Sequence, residues 1–254
     1  IGARVDYGRA RSITILNMHL AILLAGGSGN RMGTSVQDKL LHPIGDSNAF
    51  RLSIEAFLAA DSIHEILIVF RDEAQRRKLE RELSMASEKV GDKVNFTWIE
   101  GGRERKDSVG NALVSCPPEC EFVHVHDCAR PMIRHQTIDL LAKKVALTGA
   151  VAVARPLHDT IKRIPDSSLS DSVPQKTESL DRSSLWLMET PQCSQRSWLE
   201  DGLAEAERLG TIVTDEISAL ELVNRKVCLI DPGYPNPKIT TTDDLAYLEY
   251  LFKL

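Results

Sequence analysis

The sequence has no apolar run that approaches the roughly 18 residues of a membrane span, so a membrane-spanning helix is excluded and no membrane partner is expected. It has no excess of positive charge either, because 31 Lys and Arg stand against 36 Asp and Glu for a formal net charge of -5. A mildly acidic chain is not a general nucleic-acid binder, and any anionic ligand must be met by a local cluster of cations. The five cysteines, Cys116, Cys120, Cys128, Cys193 and Cys228, are odd in number and scattered. They form no disulfide framework and point to a reducing cytoplasm. Cys116 and Cys120 resemble half of a metal site, but no second Cys/His pair at ligand spacing completes it. A Ser-His-Asp constellation, an HExxH motif and a CxxC pair are missing as well. This favours a reaction in which an already ionised phosphate attacks another phosphate, where positioning and charge neutralisation matter more than a general base.

What is present begins with Leu23-Leu24-Ala25-Gly26-Gly27-Ser28-Gly29-Asn30-Arg31-Met32, an apolar strand running into a glycine-rich turn that carries an arginine. Glycines bring backbone N–H groups close to phosphate oxygens, and a basic side chain at the end of the loop neutralises charge. Neither the GxxxxGK[ST] loop nor the GxGxxG dinucleotide spacing fits. The nearest lysine comes later, at Lys39.

At 254 residues the chain suits one α/β domain with an appendage. Short apolar runs at 20–24, 66–70, 94–99, 122–126, 150–154 and 227–230 alternate with helical patterns at 47–60, 73–89, 107–114, 136–148, 197–209, 215–223 and 242–251. This alternation predicts a doubly wound, mostly parallel Rossmann-like sheet with ligands at the carboxyl ends of its strands. Residues 155–186 break the rhythm with Ser, Asp and Pro, and are expected to form a protruding β-arm. Residues 1–17, with Arg4, Arg9 and Arg11 against a single acid, Asp6, are expected to be a disordered or misassigned extension before a domain over 18–254; an Arg-rich transit peptide is the alternative.

Four further segments could carry chemistry. Asp127 closes the run Val125-His126-Asp127 and would project into the ligand crevice, where a carboxylate suits Mg²⁺ bound to phosphates, unless it is a turn cap. Gly101-Gly102-Arg103-Glu104-Arg105-Lys106-Asp107-Ser108 sets a glycine pair before a helix; Ser108 either caps that helix or meets a base, and the charges are equally compatible with a solvated turn. Thr214-Asp215-Glu216 opens a helix whose free N–H groups either bind an anion or are simply capped. Lys238 precedes the last helix. Together these segments specify a site for several phosphates.

Taken in order, LLAGGSGNRM, Lys39, GGRERKDSV, VHDCARP, HDTIKR, LDRSSLW, TPQ, TDEISALE and PKIT resemble the 2-C-methyl-D-erythritol 4-phosphate cytidylyltransferases of the non-mevalonate isoprenoid pathway, over nearly everything from Met18 onward. The resemblance implies transfer of CMP from CTP to methylerythritol phosphate with release of pyrophosphate, Mg²⁺, and a homodimer with exchanged arms. It implies that Ala25, Gly26, Gly27 and Gly29 hold CTP, that Gly102 and Ser108 meet its cytosine and ribose, and that Arg31 and Lys39 stabilise the reacting α-phosphate. Asp127 matches the metal-associated aspartate. Arg130, Thr160, Arg182, Thr190, Thr214 and Lys238 match the acceptor side, with Arg182 and Lys238 aiming the methylerythritol phosphate. Thr160 and Arg182 lie in or beside the arm, in reach of a partner's site. The sequence departs from the family in Asp38 and Leu40 around Lys39, in Arg103 where an acid is common, and in Pro235 and Pro237 around Asn236. The nearest alternatives are a ribitol 5-phosphate cytidylyltransferase and a non-catalytic nucleotide-binding relative.

Overall fold

A computed structural model gives the structure of the chain and describes residues 17–27, 38–91, 94–164 and 176–253. The expectations for the extension before residue 17, for Gly29 and Arg31, and for the tip of the arm lie outside the described residues.

The first strand, β1 (Met18–Leu24), is buried on both faces, which is why it reads as an unbroken apolar run rather than an alternating one. A short hairpin, β2 (Pro43–Ile44) and β3 (Ser47–Asn48), leads into α1 (Ala49–Ala59). That helix starts where the Asn48 side chain accepts the Arg51 N–H at 2.9 Å. Then follow β4 (Glu65–Phe70), α2 (Glu73–Val90), β5 (Asn95–Glu100), α3 (Arg105–Val114), β6 (Cys120–Asp127), α4 (His135–Thr148) and β7 (Ala150–Pro156). The arm carries β8 (Lys162–Arg163) paired antiparallel with β9 (Glu178–Ser179). The chain closes with β10 (Trp186–Gln195), α5 (Arg196–Leu209), α6 (Glu216–Leu222), β11 (Cys228–Ile230) and α7 (Thr242–Leu251).

Seven strands form one sheet in the order β11-β7-β10-β6-β1-β4-β5, parallel except for β10. Because successive side chains on a strand point to opposite faces, β1 divides its residues between two cores. Ala21 and Leu23 pack with Ile66, Ile68 and Phe70 under α1, α2 and α7, whereas Leu20 and Ile22 pack with Leu67, Val69 and Val109, Ala112 and Leu113 of α3. The doubly wound α/β architecture is therefore as the alternation predicted.

The sequence reading omitted β10, the one antiparallel strand. It lies between β6 and β7 with Gln192 opposite Val125 and Ala152, and its register against β7 shifts between Met188 and Gln192. Glu189, Thr190, Pro191 and Gln192 occupy that interval, a polar stretch with a proline that argues locally against a central strand. The boundaries of the arm also shift. Arg155 and Pro156 pair with Leu187 and Trp186 as part of the main sheet, so the arm proper leaves beyond them.

One buried cluster behind the site sets the acid limit of the fold. His19 Nδ1 and His124 Nε2 are 3.0 Å apart, and His124 Nδ1 lies 3.0 Å from Cys193 Sγ. Burial, reinforced by the His64 charge, lowers the His19 pKa to about 4, and burial pushes His124 well below its ordinary value. Between about pH 4 and 6.5 the unfolded chain therefore binds protons that the native one refuses, and stability falls as pH falls through that window. For His19 alone the loss reaches about 2 kcal/mol by pH 5. Urea unfolding at pH 7 and pH 5 checks this; equal midpoints would show that these imidazoles are not held neutral.

Candidate active site

Strands β1, β4, β5 and β6 run parallel, so the segments that follow them lie along one edge of the sheet, β6 on one side of β1 and β4 on the other. Such a reversal of strand order opens a crevice at the carboxyl ends. A cleft of about 570 Å³ lies there, lined by Gly26, Gly27, Lys39, Arg71, Gly102, Arg103, Arg105, Ser108, Asp127 and Lys238 among others.

The turn after β1 is held as an extension of the sheet. Ala25 N–H donates to Val69 O at 2.8 Å, and Gln75 Nε2 of α2 donates to Ala25 O at 3.0 Å. The same Gln75 amide donates to Asp38 Oδ2 at 2.7 Å, while Asp38 Oδ1 accepts the Leu40 N–H at 3.0 Å. Asp38 thus ties the Lys39 turn to the glycine loop through one buried glutamine, and this gives a physical role to the unusual residue before Lys39. The Lys39 ammonium donates to Ile239 O at 2.9 Å, next to Lys238.

On the opposite wall, Gly102 N–H donates to Ser108 Oγ at 3.0 Å, and Ser108 Oγ donates to Glu104 O at 3.2 Å. A Cβ at Gly102 would stand 2.3 Å from the Asp107 Cβ, so only glycine permits this turn to fold against α3.

Asp127 sits at the end of β6, 8% exposed, with both oxygens on cations. Lys238 Nζ donates to Oδ2 at 2.5 Å and Arg105 Nε donates to Oδ1 at 3.1 Å. Burial opposes ionisation, but the Arg105 and Lys238 charges more than offset it and hold the carboxyl well below the usual carboxylate range. Arg105 in turn grips Glu216, with Nη1 to Oε1 at 2.6 Å and Nη2 to Oε2 at 2.9 Å. Burial raises the Glu216 carboxyl above the usual carboxylate value, and the Arg105 charge offsets part of that rise. The two-pronged geometry suits the ionised carboxylate, whose two equivalent oxygens accept charge-assisted bonds from the guanidinium fork.

Comparison with known proteins bears on what this cleft belongs to. A family model described as 2-C-methyl-D-erythritol 4-phosphate cytidylyltransferase matches residues 19–253. The chain belongs to this family. The cytidylyltransferase of Parasynechococcus marenigrum is 35% identical over 237 residues, covering 93% of this chain and 98% of its own. The chloroplastic cytidylyltransferase of Oryza sativa is 32% identical, covering 98% of this chain and 77% of its own. In fold, the chain is similar to the 4-diphosphocytidyl-2C-methyl-D-erythritol synthase of Anaerococcus prevotii at a TM-score of 0.77, with 22% identity and 94% and 97% of the two chains covered.

Against the site residues that the family resemblance implies, the structure brings Gly26, Gly27, Lys39, Gly102, Ser108, Asp127 and Lys238 to one cleft. Ala25 stands one residue behind its wall, fully buried. Three others are elsewhere. Thr190 is buried, its hydroxyl accepting the Asp127 N–H at 3.1 Å and lying 3.1 Å from His126 Nδ1, so it supports the end of β6 from behind. Arg130 donates to Asn236 O at 2.9 Å and Met188 O at 3.3 Å, and therefore joins backbone segments rather than facing the cleft. The start of α6 offers few free N–H groups, because those of Thr214 and Asp215 donate to Ser218 Oγ, that of Ser218 to Asp215 Oδ1, and that of Ile217 to Gln192 Oε1. These bonds cap the start of α6, and Thr214 itself is exposed outside the lining of the cleft. Thr160 and Arg182 are exposed at the arm, where Arg182 donates to His158 O.

The sequence reading passed over Gln75, Arg105 and Glu216. Arg105 falls inside a charged run that resembles a solvated turn, and its carboxylate partner lies 111 residues away. The available signal was the start of α3, which makes Arg105 the first residue of a helix facing the strand ends.

Proposed function

We propose that this chain transfers CMP from CTP to 2-C-methyl-D-erythritol 4-phosphate, giving 4-diphosphocytidyl-2-C-methyl-D-erythritol and pyrophosphate. The observation that carries the reading is the convergence of a glycine turn, Lys39, Asp127 and Lys238 on one crevice in a member of this family. The acceptor phosphate is already an anion, so in-line attack on the α-phosphate needs no general base. Lys39 and Arg31 neutralise the charge that builds on the α-phosphate, while Lys238 and Arg182 hold the acceptor in line. Gly26, Gly27 and Gly29 present backbone N–H groups to the triphosphate, and Gly102 and Ser108 border the nucleoside.

Mg²⁺ is part of this proposal. It is commonly held by one or two carboxylates together with substrate phosphates. Each Asp127 oxygen has one cation contact, and a carboxylate oxygen has a second lone pair to give, so Asp127 fits that role. When bound, the ion neutralises triphosphate charge as a Lewis acid.

The domain of residues 18–254 works as a homodimer in which the arm, about 155–186, places Thr160 and Arg182 in the partner's cleft. Their exposure and their place outside the lining of their own cleft support this. The five free cysteines favour a reducing cytoplasm.

Pyrophosphate release tests the reaction. Release is expected with CTP and methylerythritol phosphate and not with UTP or ATP, and release with ribitol 5-phosphate in its place would overturn the acceptor assignment. Dilution tests the arms: specific activity should collapse below the dimer dissociation constant, and activity that stays proportional to enzyme would remove the shared site.

A further inference from the structure

The Arg105–Glu216 pair has a consequence for the cleft that its stability role does not require. Glu216 is 4% exposed and does not line the cleft, whereas Arg105 does. One guanidinium therefore joins three elements: α3 on the nucleoside wall, the end of β6 through Asp127, and α6 through Glu216. Two Arg105 nitrogens bond Glu216 and the third bonds Asp127, so three of the five guanidinium N–H groups are held by carboxylates. Within this cluster the charges of Arg105 and Lys238 stand against those of Asp127 and Glu216.

We propose that Glu216 is a positioning residue that holds the Arg105 guanidinium on Asp127 and off the bound triphosphate. An arginine released beside a polyanion would pair with its phosphates in two-pronged fashion. That contact would form in the ground state and would draw Arg105 away from Asp127. A ground-state contact that displaces the catalytic geometry tightens substrate binding and slows the reaction, since only interactions stronger in the transition state accelerate it.

The inference rests on reading the cleft as the CTP site, and its signature is a pair of opposite changes. Glu216→Gln keeps the shape of the side chain and removes its charge. CTP affinity, measured by calorimetry, should become several-fold tighter, while kcat falls about a hundredfold. Arg105→Lys/Glu216→Gln should lose the tightening, because lysine cannot make the two-pronged contact, and should be no slower than Glu216→Gln alone. Simple structural damage weakens CTP binding and lowers kcat together, so that combination would overturn the proposal, as would a kcat within threefold of wild type. Should the wild-type protein bind CTP but release no pyrophosphate with any polyol phosphate, the assignment of the reaction fails separately. The affinity comparison then decides the inference: tighter CTP binding in the Glu216→Gln protein supports it, and unchanged or weaker binding removes it.

Discussion

Replacing Lys39 by alanine is expected to lower kcat by about two to three orders of magnitude, equivalent to roughly 3–4 kcal/mol of transition-state stabilisation, and to leave the KM for methylerythritol phosphate almost unchanged. The charge on the α-phosphate grows as the fifth oxygen approaches, so a cation placed against it contributes most at the top of the barrier. Lys39 is suited to this because its turn is fixed from two sides, by Asp38 on Gln75 and by its own ammonium on Ile239 O. A fixed cation needs little reorganisation during reaction. Arg31→Ala should act in the same direction. Steady-state kinetics in both substrates decide the matter, and small, equal changes in kcat and KM would remove Lys39 from the chemistry.

The second large effect concerns Asp127. Asp127→Asn removes the charge that faces both Lys238 and Arg105, and it should reduce kcat at least a thousandfold at saturating CTP and Mg²⁺. Stability should change far less. Arg105 keeps its two bonds to Glu216, and Lys238, whose side chain is about a third exposed, rehydrates. A thermal melt within a few degrees of wild type with a large kinetic loss is the expected combination. A variant that keeps more than a tenth of wild-type kcat would show that Lys238 and Arg105 are held adequately without the carboxylate, and the metal assignment to Asp127 would fail with it.

How much of this was visible in the amino-acid order depends on where each signal resides. β1, β4 and β6 are buried on both faces over most of their length and so stand out as largely apolar runs, and the site follows once a carboxylate is seen to end β6. β10 hides because its middle serves the neighbouring elements with polar groups: Thr190 supports Asp127, Gln192 caps the start of α6, and Glu189 pairs with Arg155. Hydrophobic periodicity has no means of registering such a strand. The same limit explains Arg130 and Thr190. Each aligns with an acceptor-binding position by its neighbours in sequence, yet in space Arg130 donates to the Asn236 and Met188 carbonyls and the Thr190 hydroxyl meets the Asp127 N–H and His126 Nδ1. Glu216 was legible only as a residue near a helix start, since nothing local announces a partner 111 residues upstream.

The position of β10 also governs the order in which the molecule can be completed. During synthesis, β6 and β7 emerge before the strand that pairs with both of them, and the arm must be threaded out and back before that strand exists. Until then two apolar strands present open edges, the condition under which chains associate with each other. A chain that stops before Trp186 lacks β10 and β11 alike, and would leave β7 unpaired beside a sheet of β6, β1, β4 and β5.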